Sequence, residues 1–101
     1  MTMKISSGIF YYIYITTNPG KTVLYTGITN NLRRRISEHF KERGNKNHFA
    51  SKYHCHKLLY YEIYDTATEA IFREKEIKKM TREKKIELIK IKNKRMKFLI
   101  I

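Results

Sequence analysis

Two tyrosine triplets on either side of a chain reversal constrain the fold more than any other feature. Tyr12-Ile13-Tyr14 and Tyr25-Thr26-Gly27 are separated by Pro19-Gly20, a dipeptide typical of turns. The flanking segments are rich in β-branched and aromatic residues, which predicts antiparallel strands over residues 8–17 and 22–26. A symmetric loop would set Tyr14 directly opposite Tyr25, whereas a bulge would shift the register by one residue.

The middle of the chain predicts a helix, a loop and a third strand. Asn30 or Asn31 can cap a helix that runs to about residue 43, with its buried stripe at Leu32, Ile36 and Phe40. Residues 44–53 are polar and predict a mobile loop. Residues 57–64 have the composition of a strand.

The last third of the sequence predicts two further helices. One begins near residue 66, and Thr81 can cap the next, which runs to about residue 91. The apolar face of the first comprises Ala67, Ala70, Ile71 and Ile77, and the apolar end, residues 98–101, is expected to pack against the protein. The predicted fold class is therefore α/β (α+β): one domain over residues 1–101, with a short three-stranded antiparallel sheet flanked by helices in the order β-β-α-β-α-α.

The charge of the chain predicts a polyanionic partner. Lysine and arginine number 22 against 9 acidic residues, for a formal net charge of +13. Nucleic acid is the most common partner of such a surface, and a membrane is the weaker alternative because no long apolar run is present. The first residues do not resemble a signal peptide, and the single Cys55 fits a reducing cytoplasm. A zinc site at His54-Cys55-His56 is not expected, because Cys55 in a strand would point away from its two neighbours and a zinc site needs four ligands.

Three polar side chains fall on helix faces where apolar residues would be expected. Glu74 lies on or beside an apolar stripe, where a carboxylate needs a cation: a metal ion, or an ion pair with a neighbouring lysine or arginine. Arg35 and His39 share one face of the first helix, so Arg35 can grip a phosphate and His39 can assist proton transfer. A Tyr14–Tyr25 pair can simply pack, or it can act on protons if nearby positive charge lowers a phenol pKa.

Together these residues resemble the GIY-YIG nuclease family. The two triplets match its two motifs, Arg35 and His39 follow at the family's spacing, and Glu74 matches its metal-binding glutamate. Asn93 resembles the asparagine that closes the family's domain. The likeness is closest to small bacterial members similar to the nuclease domain of the excinuclease subunit in DNA repair, and it covers nearly the whole chain.

The resemblance implies a DNA endonuclease that hydrolyses phosphodiester bonds with one Mg²⁺ or Mn²⁺ ion. It implies that Glu74 holds the metal and that Tyr14 or Tyr25 takes a proton from water while the other orients it. Arg35 stabilises the phosphate, and His39 relays a proton or positions a tyrosine. The candidate nucleic-acid contacts are Arg33, Arg34, Lys78, Lys79 and Asn93. A non-catalytic nucleic-acid-binding module of the same fold, or a structural, RNA-associated protein, are the alternatives.

Overall fold

The computed structural model describes residues 8–101, so the amino-terminal segment 1–7, which is not expected to be a signal peptide, lies outside the described residues. In chain order the elements are β1 (Tyr11–Thr17), β2 (Leu24–Thr29), α1 (Leu32–Lys41), α2 (Phe49–Lys52), β3 (Lys57–Tyr64), α3 (Ala67–Lys78) and α4 (Arg82–Lys92). The strands form one antiparallel sheet in the order β2-β1-β3. This confirms the predicted class and element order, with one short helix added.

The register of the β1–β2 hairpin differs from the prediction. Tyr14 pairs with Gly27 and Thr16 with Tyr25, two residues away from a direct Tyr14–Tyr25 pair. The loop is displaced because Asn18 Oδ1 accepts hydrogen bonds from the backbone N–H groups of residues 22 and 23, at 2.8 and 3.0 Å. A shift of two residues keeps both tyrosines on one face of the sheet, so they lie diagonally.

The segment between α1 and β3 also differs from the prediction. Asn31 caps α1, its side chain accepting from the Arg34 N–H at 3.0 Å. Within α1, however, Phe40 is 48% exposed while His39 is 1% exposed, so the histidine takes the buried place predicted for the phenylalanine. Residues 44–53, predicted as a loop, contain α2, which buries the small side chains of Ala50 and Ser51.

The two faces of the sheet carry separate clusters. One packs Tyr14, Leu32 and Leu58 on the side of α1. The other packs the β1 isoleucines against α3 and α4, and its buried members are Ile13, Ile15, Leu59, Tyr60, Ala70, Ile77 and Ile89. Tyr14 therefore belongs to the smaller cluster, next to α1.

Hydroxyl caps begin both carboxy-terminal helices, and the cap at Thr81 and the helix start near residue 66 were predicted. Thr66 accepts from the Glu69 N–H and Thr81 from the Lys84 N–H. Ala70 and Ile77 are fully buried on α3, but Ile71, predicted on the same face, is 45% exposed. The buried face is therefore narrower than predicted. None of the helices in residues 8–101 is long and apolar enough to cross a membrane.

The apolar end of the chain packs only in part. The Leu99 N–H donates to the Leu58 carbonyl at 2.8 Å and adds a bridge to β3. Ile100 is 98% exposed, which contradicts the expectation that residues 98–101 all pack against the protein. The tail has an extended backbone here, so neighbouring side chains point to opposite sides.

Candidate active site

The centre of the candidate site is a buried pair of side chains from β1 and α1. The Tyr14 hydroxyl and His39 Nε2 share a hydrogen bond of 2.8 Å, and each residue is 1% exposed. Space for the phenol comes from Gly27 on β2: a Cβ there would lie 2.5 Å from Tyr14 Cζ. The last residue of the second triplet thus leaves room for the last residue of the first.

Burial keeps both members of this pair uncharged. It raises the pKa of the Tyr14 phenol above its ordinary value, an effect that Tyr25 increases and the Arg35 guanidinium opposes. Burial also lowers the pKa of His39 to about 4, with the Arg35 charge acting in the same direction. At neutral pH a protonated phenol therefore faces a neutral imidazole.

Tyr25 completes an aromatic group around this pair. Its ring centroid lies 6.3 Å from that of Tyr14 and 5.5 Å from that of His39. Tyr25 is half-buried, whereas Tyr14 is fully enclosed. Of the two phenols, Tyr25 is therefore the one that a bound substrate or an attacking water can approach.

Two charged side chains lie within electrostatic range of the Tyr14 phenol. The Arg35 guanidinium lowers the pKa of Tyr14, and the Glu74 carboxylate from α3 raises it. Arg35 also contacts Glu38, at 3.3 Å from Nη1 to Oε1. Glu74 is 15% exposed and pairs with Lys78 at 3.5 Å, one of the ion pairs that the sequence allows. All five candidate catalytic residues thus belong to one neighbourhood; their catalytic roles stay predictions.

A network that the sequence analysis missed holds α3 against β3. Glu62 accepts hydrogen bonds from Arg73 Nε at 2.9 Å and Nη2 at 3.1 Å, and from the hydroxyls of Tyr60 and Tyr64. Although burial alone would raise the pKa of the Glu62 carboxyl, these bonds hold it below its ordinary value. Glu74 follows Arg73 directly, so the network fixes the rotation of α3 that places Glu74. The signal in the sequence was the alternation Tyr60, Glu62, Tyr64, which puts one carboxylate between two phenols on one strand face.

The candidate nucleic-acid contacts fall into two groups. Arg33, Arg34, Lys78 and Lys79 are exposed, on α1 and at the end of α3. Asn93 is buried instead, and its side chain makes three main-chain hydrogen bonds, to Leu59 O, Lys97 O and Lys97 N, at 2.8–3.0 Å. A nucleic-acid contact of any of these residues stays a prediction. The Asn93 side chain already forms hydrogen bonds that hold the carboxy-terminal tail.

This chain is similar to several UPF0213 proteins. A UPF0213 protein of Haloquadratum walsbyi is 38% identical over 79 residues, covering 78% of this chain and 85% of that protein. One from Clostridium perfringens is 40% identical over 82 residues, 81% and 85% of the two chains. The solution NMR structure of a UPF0213 protein from Bacillus halodurans superimposes with a TM-score of 0.51 at 26% identity, covering 84% of this chain and 87% of that chain.

The family model that describes the GIY-YIG catalytic domain matches residues 10–87. This range runs from the strand that carries Tyr14 to the middle of α4, and it includes Tyr25, Arg35, His39 and Glu74. The matched residues make up well over half of the chain, and the relatives above cover most of it. The chain therefore belongs to the GIY-YIG family of nuclease domains.

Proposed function

We propose that this protein is a metal-dependent endonuclease that hydrolyses phosphodiester bonds in DNA by in-line attack of water at a one-metal site. The observation that carries the proposal is the meeting of two tyrosines, a histidine, an arginine and a nearly buried glutamate around the Tyr14 phenol. Packing accounts for the tyrosine pair alone, but it does not account for a carboxylate and a guanidinium within electrostatic range of a buried phenol.

The residues present suit Mg²⁺ or Mn²⁺ held by a single carboxylate. Within residues 8–101 no three His, Cys, Asp or Glu side chains are grouped to form a metal cage. Mg²⁺ is commonly bound by one or two carboxylates together with waters and substrate phosphate, so Glu74 fits as the protein ligand. When bound, such an ion neutralises phosphate charge and stabilises the leaving oxygen.

The two tyrosines take different roles. Burial raises the pKa of Tyr14, which holds its proton and its hydrogen bond to His39. Tyr25 is half-buried beside that pair, so we assign it the proton from the attacking water, which it accepts after its own phenolic proton has passed to solvent. The Tyr14–His39 pair positions Tyr25 through ring contacts and keeps this side of the site free of bulk water.

Arg35 stabilises the charge that grows on the phosphate. Its side chain is 30% exposed and near the Tyr14 phenol, and Glu38 and Glu42 hold its Nη1 at 3.3 and 3.9 Å. A guanidinium oriented beforehand by carboxylates needs little rearrangement when the phosphate arrives. The exposed Arg33, Arg34, Lys78 and Lys79 supply charge that attracts the DNA backbone, without reading sequence.

The test is cleavage of single-stranded, duplex and branched DNA with Mg²⁺, Mn²⁺ or EDTA. Wild type should cut only with metal, and Glu74→Gln should cut at least about 100-fold more slowly while it binds DNA normally. Glu76→Gln is the matched control, because this exposed α3 carboxylate pairs with Arg73 and should leave cutting unchanged within about twofold. Equal cutting by Glu74→Gln would contradict the metal role.

The alternative, a non-catalytic binding module, predicts a different outcome of the same experiment. Such a module would bind DNA with a strong dependence on salt, and no metal would cause cleavage. A cytoplasmic location and a role in DNA repair stay predictions.

A further inference from the structure

Two aromatic rings lie at the surface beside the candidate site, one on the first residue of α2 and one on the residue that follows its last. Phe49 is 53% exposed and Tyr53 is 40% exposed, and their ring centroids lie 4.7 Å apart. They are four residues apart and so share one helix face. Burying a phenylalanine contributes about 1.5–3 kcal/mol, so two adjacent exposed rings on a four-residue helix mark a surface that meets a partner. We refer to Phe49 and Tyr53 together as the α2 aromatic surface.

The outward direction of these rings is built into the local structure. The inward side of α2 consists of Ala50 and Ser51. Their side chains are small and buried, so the helix lies close to the protein and no ring fits beneath it. Main-chain hydrogen bonds hold the helix from both sides: the Gly44 N–H donates to the Ser51 carbonyl at 2.7 Å, and the Cys55 N–H to the Ala50 carbonyl at 2.8 Å. The rings therefore stay at the surface because the backbone beneath them is fixed.

The α2 aromatic surface is continuous with the candidate site. The Phe49 ring stacks on the Tyr25 ring with an interplanar angle of 25° and a centroid separation of 6.3 Å. Tyr25 in turn contacts His39. A nucleotide next to a phosphate held at Tyr25 would therefore meet Phe49 first.

The surroundings of the surface are positively charged. Residues 43–61 contain Arg43, Lys46, Lys52 and Lys57 but no aspartate or glutamate. Lys52 Nζ lies 5.3 Å from the Tyr53 ring centroid. Aromatic rings within a cationic surface are how proteins bind unpaired nucleotides: the charge follows the phosphates and the rings stack on the bases. A base pair inside a duplex has both faces covered by its neighbours and cannot use the rings in this way.

We propose that Phe49 and Tyr53 stack on an unpaired nucleobase next to the scissile phosphate, so that the substrate is single-stranded DNA or DNA with an unpaired nucleotide. This rests on the proposed endonuclease function and specifies its substrate class. The positive charge favours nucleic acid over a protein partner or a second copy of this chain.

The proposal is tested by binding in EDTA, where no metal-dependent cleavage occurs. Fluorescence anisotropy would compare a labelled single strand with the matched duplex. Phe49→Ala and Tyr53→Ala should each weaken binding of the single strand about tenfold or more and change binding of the duplex by less than about twofold. Phe72→Ala, which removes a 67% exposed ring from α3, is the matched control and should change neither.

A strand of the same length without bases separates stacking from phosphate contacts. Wild type should bind this abasic strand about as weakly as the double variant Phe49→Ala/Tyr53→Ala binds the normal strand, and the double variant should lose nothing further on the abasic strand. Phe49→Trp covers the case in which Phe49→Ala fails to fold. Since the chain contains no tryptophan, the tryptophan emission of this variant comes from position 49 alone. This emission should be quenched by the normal strand and not by the abasic one.

Three results would overturn the proposal: no weakening by either alanine substitution, equal weakening on single strand and duplex, or self-association of wild type that Phe49→Ala abolishes. The first two would show that the rings do not read unpaired bases, and the third that they join two copies. Because binding is measured without metal, an inactive protein with ring-dependent binding would disprove the nuclease function alone, and an active protein without it would disprove the stacking surface alone.

Discussion

The Tyr14 phenol lies against the α-carbon of Gly27 on the neighbouring strand, where no side chain fits. A Cβ at this position would stand 2.5 Å from Tyr14 Cζ and 3.0 Å from Cε1. The antiparallel register pairs these two residues directly. The two triplets are therefore linked by a steric requirement: the glycine of one makes room for the tyrosine of the other.

Gly27→Ala should displace Tyr14 from His39. Inserting a methyl group into a packed site typically lowers the free energy of unfolding by about 1–3 kcal/mol, and we expect DNA cleavage to fall at least about tenfold. Urea unfolding and single-turnover cleavage measure the two effects. Gly20→Ala is the control, because its Cβ would have no heavy atom nearer than 3.9 Å. Unchanged cleavage by Gly27→Ala would show that the position of Tyr14 does not matter.

His39 should make the stability of the protein depend on pH. Its pKa is about 4 in the folded state and 6.5 in the unfolded chain, so between these values the unfolded chain binds the additional proton. The free energy of unfolding should therefore fall by up to about 3 kcal/mol as the pH decreases from 6.5 to 4. Above pH 6.5, His39 should contribute no further dependence of this free energy on pH.

Urea unfolding at several pH values between 4 and 7.5 measures this dependence. His39→Gln should be less stable at pH 7 but show a shallower slope below pH 6.5. His54→Gln, at an exposed histidine, should keep the wild-type slope. If the free energy of unfolding of His39→Gln depends on pH as steeply as that of wild type, His39 is not the group that causes the pH dependence.

Glu62→Gln should destabilise the fold and affect cleavage only indirectly. It removes the charge of a carboxylate that is 12% exposed and surrounded by Arg73 and two phenols. Among the described residues, Arg73 then has only the exposed Glu76 as a carboxylate partner, so the free energy of unfolding should fall by about 2–3 kcal/mol. Glu87→Gln, whose partner Lys84 is 70% exposed, should cost less than about 0.5 kcal/mol. Thermal and urea unfolding compare them. A Glu62→Gln protein as stable as wild type would mean that the network does not hold α3.

Asn93→Ala should reduce stability without reducing DNA affinity. The substitution removes a side chain that bonds Leu59 O and both main-chain groups of Lys97, so about 1–3 kcal/mol should be lost. Lys94→Ala, at the neighbouring exposed position, is the control for stability. Fluorescence anisotropy with labelled DNA distinguishes a structural role of Asn93 from a nucleic-acid contact. A tenfold loss of DNA affinity in folded Asn93→Ala would support the nucleic-acid contact expected from the sequence.

The sequence predicted the order of the elements, apart from the short α2. Strand composition, the hydroxyl cap at Thr81 and the helical spacing of Arg35 and His39 depend on neighbours within a few residues, which is why they could be predicted directly.

The parts that the sequence could not provide depend on contacts between distant residues. The pairing register of β1 and β2 depends on the hydrogen bonds that the Asn18 side chain accepts, and the loop is not centred on Pro19-Gly20. His39 rather than Phe40 became buried, and the Tyr14 hydroxyl provides a hydrogen-bond partner for the imidazole Nε2 once β1 and α1 pack. The Glu62–Arg73 pair joins residues eleven apart, on different elements. In each case, a partner that is visible only in the folded protein decided the outcome.

The central claim is that Tyr25 acts on the proton of the attacking water at a site assembled around Tyr14 and Glu74. The most direct measurement is the single-turnover rate of DNA cleavage by Tyr25→Phe with Mn²⁺, with DNA affinity measured in parallel. The substitution removes one oxygen and keeps the ring that contacts Tyr14, His39 and Phe49. We expect a rate at least about 100-fold below wild type with affinity unchanged. A rate within about threefold of wild type would contradict the account.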